Sequence, residues 1–439
     1  MDALGRAALA RRRLLMIVNF FPPAGGGGVY RPLSFVKYLA RLGWEITVVA
    51  PRPGEFWISD PGLEREVPAS VRVVRTASLS GLRVLGALRG GRERGASRRS
   101  SGGFGALRRL GEFFLVPDTY AGWVPFAARA AERLVSSERF DAVYSTSPPD
   151  SSHLVAMRIA RRRPLPWVAD FRDPWINLRL RTPPTPLHRL IHERMERAAS
   201  RADLVLVTTE AHEAMLRRRY PGSRVERIPN GYDEEDFPRE PAVRPPAEPF
   251  TVTHCGMLTL GRSVRPFLEG FAAFMKRAPS KAAATSVAFI GARESANEEL
   301  AESLGLADRV RFEDNLPHDE VVRRERESHV LLLVKHDDER YRGLVPGKLY
   351  EYIGARRPIL AIAPDGEAAR LVAAMRRGEV AAIGDPADVA AKLERLHDRW
   401  REGTLESGYS LEEAPEWSRR AGAERLHALL SALVGESCR

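Results

Sequence analysis

Lys348 and Glu351 open the stretch Pro346-Gly347-Lys348-Leu349-Tyr350-Glu351, and their spacing suggests a chemistry. The Pro-Gly pair stops one element. The pattern after it predicts a helix of about three turns and then an apolar strand at Ile359–Ile362. Lys348 falls in the first helical turn, where the helix dipole disfavours a cation. A cation beside free backbone N–H groups suits an anion better than it suits the helix. Glu351 lies one turn on, on the same face. An ammonium for phosphate and a carboxylate for sugar hydroxyls would form a nucleotide-sugar clamp. The alternative is an ordinary surface ion pair.

Other residues invite the same question. Gly25-Gly26-Gly27-Gly28 follows an apolar run, Leu14–Val18, and precedes a helix. Without Cβ atoms such a loop can approach a diphosphate closely, and the helix start favours negative charge. It lacks the GxGxxG spacing and acidic ribose partner of a dinucleotide site, and the Lys-Ser/Thr of a phosphate-binding NTPase loop. A flexible loop is the plainer alternative. Asp170-Phe171-Arg172-Asp173 ends a predicted strand at its carboxyl edge, where ligands of open α/β sheets bind. Three charges there are costly unless they are paired or functional, so a structural Arg–Asp network and a reaction centre both stay open. His153, near the start of the preceding helix, is a further candidate, although a lone histidine more often has a structural role. Asn230-Gly231-Tyr232-Asp233 reads as a turn after a strand.

The elements that must position these residues alternate. In the first half, strands are predicted at Leu14–Val18, Glu45–Ala50, Val71–Arg75, Ala142–Ser145, Trp167–Asp170 and Leu204–Thr208. Helices fall at about Arg31–Leu42, Ala127–Leu134, Ser152–Arg161 and His188–Ala199. This βαβ rhythm implies a parallel sheet with helices on both faces. Five prolines in Phe237–Phe250 interrupt it and read as a linker. A second alternation follows, with strands at Thr251–His254, Ser286–Ile290, Val310–Phe312, Val330–Val334 and Ile359–Ile362 and a helix at Ala387–Trp400. A last helix, about Trp417–Leu433, is long enough to return to the first domain. The predicted division is 1–236, a linker at 237–250, a second domain at 251–410, and a returning segment at 411–439.

The 439 residues exceed one ordinary core, and 44% hydrophobic content is that of a globular protein. Two cysteines carry neither a disulfide framework nor metal-ligand spacing, which favours a reducing, cytoplasmic setting. No apolar run approaches the ~18–20 residues of a membrane span. Residues 1–235 hold 38 Lys and Arg against 24 Asp and Glu, and the remainder 30 against 33, so the whole excess of +11 lies in the first half. That half should meet an anionic surface or acceptor. Gly81–Arg109 carries eight Arg and one acid and predicts disorder. It is either a solvated loop or a contact with anionic lipid on the inner face of the membrane. No recognised nucleic-acid module accompanies the charge.

The order and spacing of four segments resemble bacterial retaining glycosyltransferases of family 4. They are Phe20–Gly28, Trp167–Trp175, Ile228–Asp233 and Pro346–Pro358. The resemblance implies the α/β GT-B architecture: two doubly wound, Rossmann-like parallel-sheet domains with a C-terminal helix returning to the first. It implies transfer of a sugar from a nucleotide-diphospho sugar to a glycan, lipid-linked or small-molecule acceptor in cell-envelope or exopolysaccharide synthesis. Neither a metal nor a further cofactor is expected. By resemblance Gly26, Gly27 and Gly28 reach toward the donor phosphates. Arg262, with Arg265 as a second possibility, meets the diphosphate. Asn315 and Leu316 frame the base without separating UDP, GDP and dTDP. Gly347, Lys348 and Glu351 complete the donor site. Asp170, Arg172, Asp173 and His153 are the catalytic candidates, Arg172 standing where many members have a histidine. The family's paired-glutamate motif has Gly343 in place of its first glutamate and Glu351 as its second. A nucleotide-sugar epimerase of the same architecture and a basic binding protein without catalysis are the alternatives.

Overall fold

A computed structural model describes residues 12–53, 59–79, 113, 115–175, 185–238, 243–258 and 262–437. The arginine-rich stretch 81–109 lies outside the described residues. The chain divides into two compact units. Unit 1 comprises Met1–Thr208, His212–Pro229 and Arg420–Arg439, and unit 2 comprises Thr209–Ala211 and Asn230–Arg419.

Unit 1 is built on seven strands, β1 (Arg13–Ile17), β2 (Glu45–Pro51), β3 (Arg72–Thr76), β4 (Ala142–Ser147), β5 (Trp167–Phe171), β6 (Leu204–Val207) and β7 (Val225–Arg227). Their order is β3-β2-β1-β4-β5-β6-β7, and every neighbouring pair is parallel. Among the described residues, five helices accompany them: α1 (Tyr30–Arg41), α2 (Val124–Ser137), α3 (Ser151–Arg162), α4 (Pro186–Ala199) and α5 (Glu210–Arg219). Strand side chains alternate between two faces. Leu15 and Ile17 of β1 enter one core with Trp123, Val155 and Phe171. Leu14 and Met16 enter the other with Phe35, Leu39 and Tyr144. The strand order reverses between β1 and β4, which makes the carboxyl ends of these two strands the ligand-binding position of this fold type.

Unit 2 repeats the plan with six parallel strands, β8 (Phe250–Cys255), β9 (Thr285–Ile290), β10 (Val310–Glu313), β11 (Val330–Val334), β12 (Ile359–Ile362) and β13 (Gly378–Ala381), in the order β10-β9-β8-β11-β12-β13. Its helices are α6 (Arg265–Arg277), α7 (Pro279–Ala283), α8 (Ser295–Ser303), α9 (His318–Arg326), α10 (Gly347–Ala355), α11 (Glu367–Ala374) and α12 (Pro386–Arg401). Alternation again makes two cores: Val330, Leu332 and Val334 face Phe267, Phe271 and Leu393, while Leu331 and Leu333 face Leu349, Tyr352 and Ile353. Here the order reverses between β8 and β11.

The last helix, α13 (Arg419–Ser437), packs on unit 1. Ala423, Leu426, Leu430 and Leu433 recur at helical spacing and join the core that holds Leu14, Met16 and Phe35. Just before it, the backbone at Tyr232 pairs with this segment. Tyr232 N donates to Trp417 O at 3.2 Å, and Arg419 N donates to Tyr232 O at 2.8 Å. A Cβ on Gly231 would stand 2.6 Å from Trp417 O, so the Asn-Gly turn is glycine for close approach.

Candidate active site

Asp170 ends β5 and is completely buried. Its Oδ2 accepts from Arg31 Nε at 2.9 Å, Tyr144 OH at 2.6 Å and Thr146 Oγ1 at 3.0 Å, and its Oδ1 accepts from Arg31 Nη2 at 3.0 Å. Burial works against the carboxylate, but the Arg31 guanidinium holds it below the usual range. Arg31 also donates to Pro229 O at 3.0 Å. Asp170 is thus the hub of a network joining α1, β4 and β5, a place that offers no open face to a substrate. Arg172 is also a fastener. Its guanidinium donates to Ser147 O at 2.6 Å, Gly28 O at 2.7 Å and Pro148 O at 2.8 Å. It therefore ties the glycine loop to the end of β4. Asp173 remains half-buried, with its carboxyl raised by burial against the pull of Arg172. Of the four catalytic candidates it is the one that stays partly open to solvent.

His153 belongs to the core. The ring has no exposure, Nδ1 shares a 2.8 Å hydrogen bond with Ser145 Oγ, and Phe171 and Trp175 lie 4.6 and 5.8 Å from it between centroids. Burial pushes it down to about 3, so it is neutral. An imidazole enclosed by aromatic rings does not reach solvent, and the candidate role in catalysis gives way to a packing role.

In the glycine loop, Gly26 takes φ 86°, a conformation that favours glycine. A Cβ on Gly28 would come within 3.0 Å of the Phe20 ring, whereas one on Gly27 would meet nothing. No side chain caps the start of α1, and no acid lies in its first turn.

In unit 2 the site candidates converge on the carboxyl edge. Gly256 leaves β8 with φ +125°, and a Cβ there would lie 3.3 Å from Lys348 Cε. The lysine stem therefore lies across the strand end. A Cβ on Gly291, just past β9, would come within 2.6 Å of Asn315 Oδ1 and 3.3 Å of the Gly256 carbonyl carbon. Asn315 is exposed, and Leu316 packs on the core. Gly347 opens α10 without a side-chain cap, and nothing stands within reach of where its Cβ would be. Arg262 is half-buried and donates to Met257 O at 3.0 Å. Arg265, by contrast, pairs with Glu269 at 3.2 Å one turn along its own helix.

Lys348 Nζ stands 2.5 Å from Glu351 Oε2 and 3.5 Å from Glu325 Oε1. Burial opposes its charge, but the two carboxylates hold its pKa well above the ordinary range. Burial likewise opposes the Glu351 carboxylate, which Lys348 and then Arg419 draw below its usual value. The surface-pair alternative is therefore not what the fold builds: the pair is set among buried groups. Lys335, at the end of β11, donates to Tyr341 O at 3.1 Å and to Leu344 O, fastening the loop that leads into α10.

That loop contains Gly343, where the resemblance calls for a glutamate. A Cβ there would stand 2.6 Å from the Cβ of Ala211, one of the residues 209–211 that cluster with this unit. Any side chain would have to displace the backbone, so the departure has a steric cause.

Sequence reasoning missed Arg31, Glu325, Lys335 and Arg419. Arg31 carried a usable signal, a cation in a first helical turn. Among the described residues, no group of three or more His, Cys, Asp and Glu is arranged to hold a metal ion, and no helix is long and apolar enough to cross a membrane.

Two doubly wound units of parallel strands are the GT-B architecture, and solved structures share it along nearly the whole chain. Sucrose-phosphate synthase from Thermosynechococcus elongatus aligns with TM-score 0.64 at 17% identity, covering 97% of this chain and 100% of that one. HepE of Anabaena, solved with UDP-glucose, aligns with TM-score 0.63 at 15% identity over 96% and 99%. WaaG, a glycosyltransferase involved in lipopolysaccharide biosynthesis, aligns with TM-score 0.54 at 16% identity over 96% and 98%. At these identities the likeness defines the fold. Residues 25–236 match the model of Glycosyltransferase Family 4. No curated protein sequence matches the chain.

Proposed function

We propose that the chain transfers a glycosyl group from a nucleoside-diphosphate sugar to an acceptor hydroxyl, with retention of anomeric configuration. The observation that carries this reading is the Lys348–Glu351 pair at the uncapped start of α10, beside Gly256 at the strand-order reversal of unit 2. Lys348 and Arg262 would neutralise the departing diphosphate, which is where charge develops in the transition state. Glu351 would accept ribose hydroxyls, and the exposed backbone at Asn315 would frame the base. In unit 1, Asp173 is the residue assigned to the acceptor side, while Asp170 and Arg172 hold the loop and strand ends in place. Retention follows from same-face attack assisted by the leaving phosphate. Because two protein cations are assigned to the phosphates, turnover is expected to survive EDTA. The likeness to structures solved with a uridine nucleotide sugar and to a lipopolysaccharide enzyme supports a UDP-sugar as the first donor and an envelope glycan as the first acceptor class.

The test is Lys348→Ala. Loss of a charge-assisted hydrogen bond is worth about 1.5–3 kcal/mol, so UDP affinity read by calorimetry should fall about 10–100-fold. Donor binding and turnover unchanged at low and saturating donor alike would sink the assignment.

A further inference from the structure

Glu325 has no part in the clamp just described, yet it lies against it. It belongs to α9, has no exposure, and reaches Lys348 Nζ with Oε1 at 3.5 Å, while Oε2 is buried without a hydrogen-bond partner. Two carboxylates thus claim one ammonium. The neighbouring charges balance without it. Arg419 lies 3.9 Å from Glu351 Oε1 and 3.9 Å from Asp236 Oδ2, so Lys348 and Arg419 offset Glu351 and Asp236. His318, 3.0 Å from Asp236, adds positive charge only when protonated. A further negative charge on Glu325 would be buried and poorly matched, with one oxygen unsatisfied, which is costly.

Building on the donor-site reading, we propose that Glu325 is a positioning residue for Lys348 and that its acid form admits the diphosphate: a neutral Glu325 leaves the ammonium free to answer to phosphate, whereas an ionised one competes for it. The groups that face Glu325 are Lys348, Glu351 and Tyr352 from α10, Cys255 from β8, and His318 on its own helix. Burial pushes Glu325 up to about 8, opposed by Lys348 and reinforced by Glu351. Burial also pushes Cys255 and Tyr352 well above their usual values, and Lys348 is held high by its carboxylates. An arriving diphosphate repels a Glu325 charge and raises its pKa further. Binding therefore takes up a proton above about pH 8, and affinity falls there as pH rises. Below that pH the acid form is already present and affinity is flat.

The measurement is calorimetric binding of UDP, and of methyl diphosphate as a base-free probe, to the full chain between about pH 7 and 9.5. Two buffers of different ionisation enthalpy at about pH 8.5 count protons. The phosphate's own last ionisation, near pH ~6, lies below this window. Wild type is expected to lose affinity above about pH 8, by at most about tenfold per pH unit, with proton uptake. Glu325→Gln should bind like wild type at pH 7, stay flat to pH 9.5 and take up no proton. Glu325→Met, checked for a native melting transition, repeats the test if the amide does not fold. Parallel pH profiles in wild type and variants would overturn the proposal while leaving the donor site intact, provided Lys348→Ala still weakens binding as expected above. Failure of both probes to bind wild type at any pH would remove the donor-site reading and this inference with it.

Discussion

Arg31 and Lys348 each stand in the first turn of a helix, and the fold uses them differently. Arg31, in the first turn of α1, is consumed by Asp170 and the Pro229 carbonyl. Lys348, in the first turn of α10, is shared between two carboxylates beside a glycine. The same sequence signal thus marks a structural clamp and a candidate phosphate ligand, and only burial separates them. Asp170→Asn would leave Arg31 buried with a weaker partner, and breaking such a pair costs about 3–5 kcal/mol; chemical denaturation should show a loss of that order. His153 gives a pH signature. Its folded pKa, about 3, lies below the unfolded value, so the unfolded chain binds more protons. The stability it confers is complete above about pH 6.5 and is lost as pH falls toward 3, at up to about 1.4 kcal/mol per unit. His212, His254 and His329 are lowered by burial in the same way, so His153→Gln should reduce the slope of stability across that window in pH-dependent melting without removing it, and an unchanged slope would refute it. Lys348 and Glu351 were legible because helical spacing puts them on one face. Glu325 was not, because it is 23 residues from Lys348 and the packing of α9 against α10 brings the two together.

At the scale of elements, the strands that read plainly were those with continuous apolar runs. Val330–Val334 and Ile359–Ile362 occupy the residues the pattern predicts. Of the edge strands, β3 and β10 read from their valines, whereas two did not: β7 has three residues, Val225-Glu226-Arg227, and β13 reads Gly-Glu-Val-Ala. A strand with one paired edge needs few apolar side chains, so its sequence carries little periodicity. Helix α5 was missed for a related reason, since it ends in Arg217-Arg218-Arg219 and buries only His212 and Leu216. The last helix was legible through its leucines, and its contribution can be measured. Leu430 is fully buried against unit 1. Leu430→Ala should cost about 2–5 kcal/mol of unit 1 stability, read by denaturant titration. A cost below about 0.5 kcal/mol, the range of surface substitutions, would mean that the helix does not support this core.

At the scale of the whole molecule, the paired backbone at Tyr232 and Trp417–Arg419 has a topological consequence. Unit 1 is the host and the main part of unit 2 an insertion, because the chain leaves the first at Pro229 and re-enters it at Arg420. The insertion's two ends are hydrogen-bonded side by side, so neither must stretch when the host is cut away. Residues 230–419 retain both cores of unit 2, the Lys348–Glu325–Glu351 cluster and Arg419. Expressed alone, that segment should fold and bind UDP within about tenfold of the intact chain, as calorimetry would show. Loss of binding in a folded fragment would mean that unit 1 contributes to holding the nucleotide. The complementary excision, Pro229 joined to Arg420 through a short linker, should leave a host domain that keeps its seven strands and its leucine-faced helix. Should the isolated segment bind UDP, its adjacent ends would let it be exchanged between hosts with one pair of cuts, and donor choice and acceptor choice would become separable engineering targets.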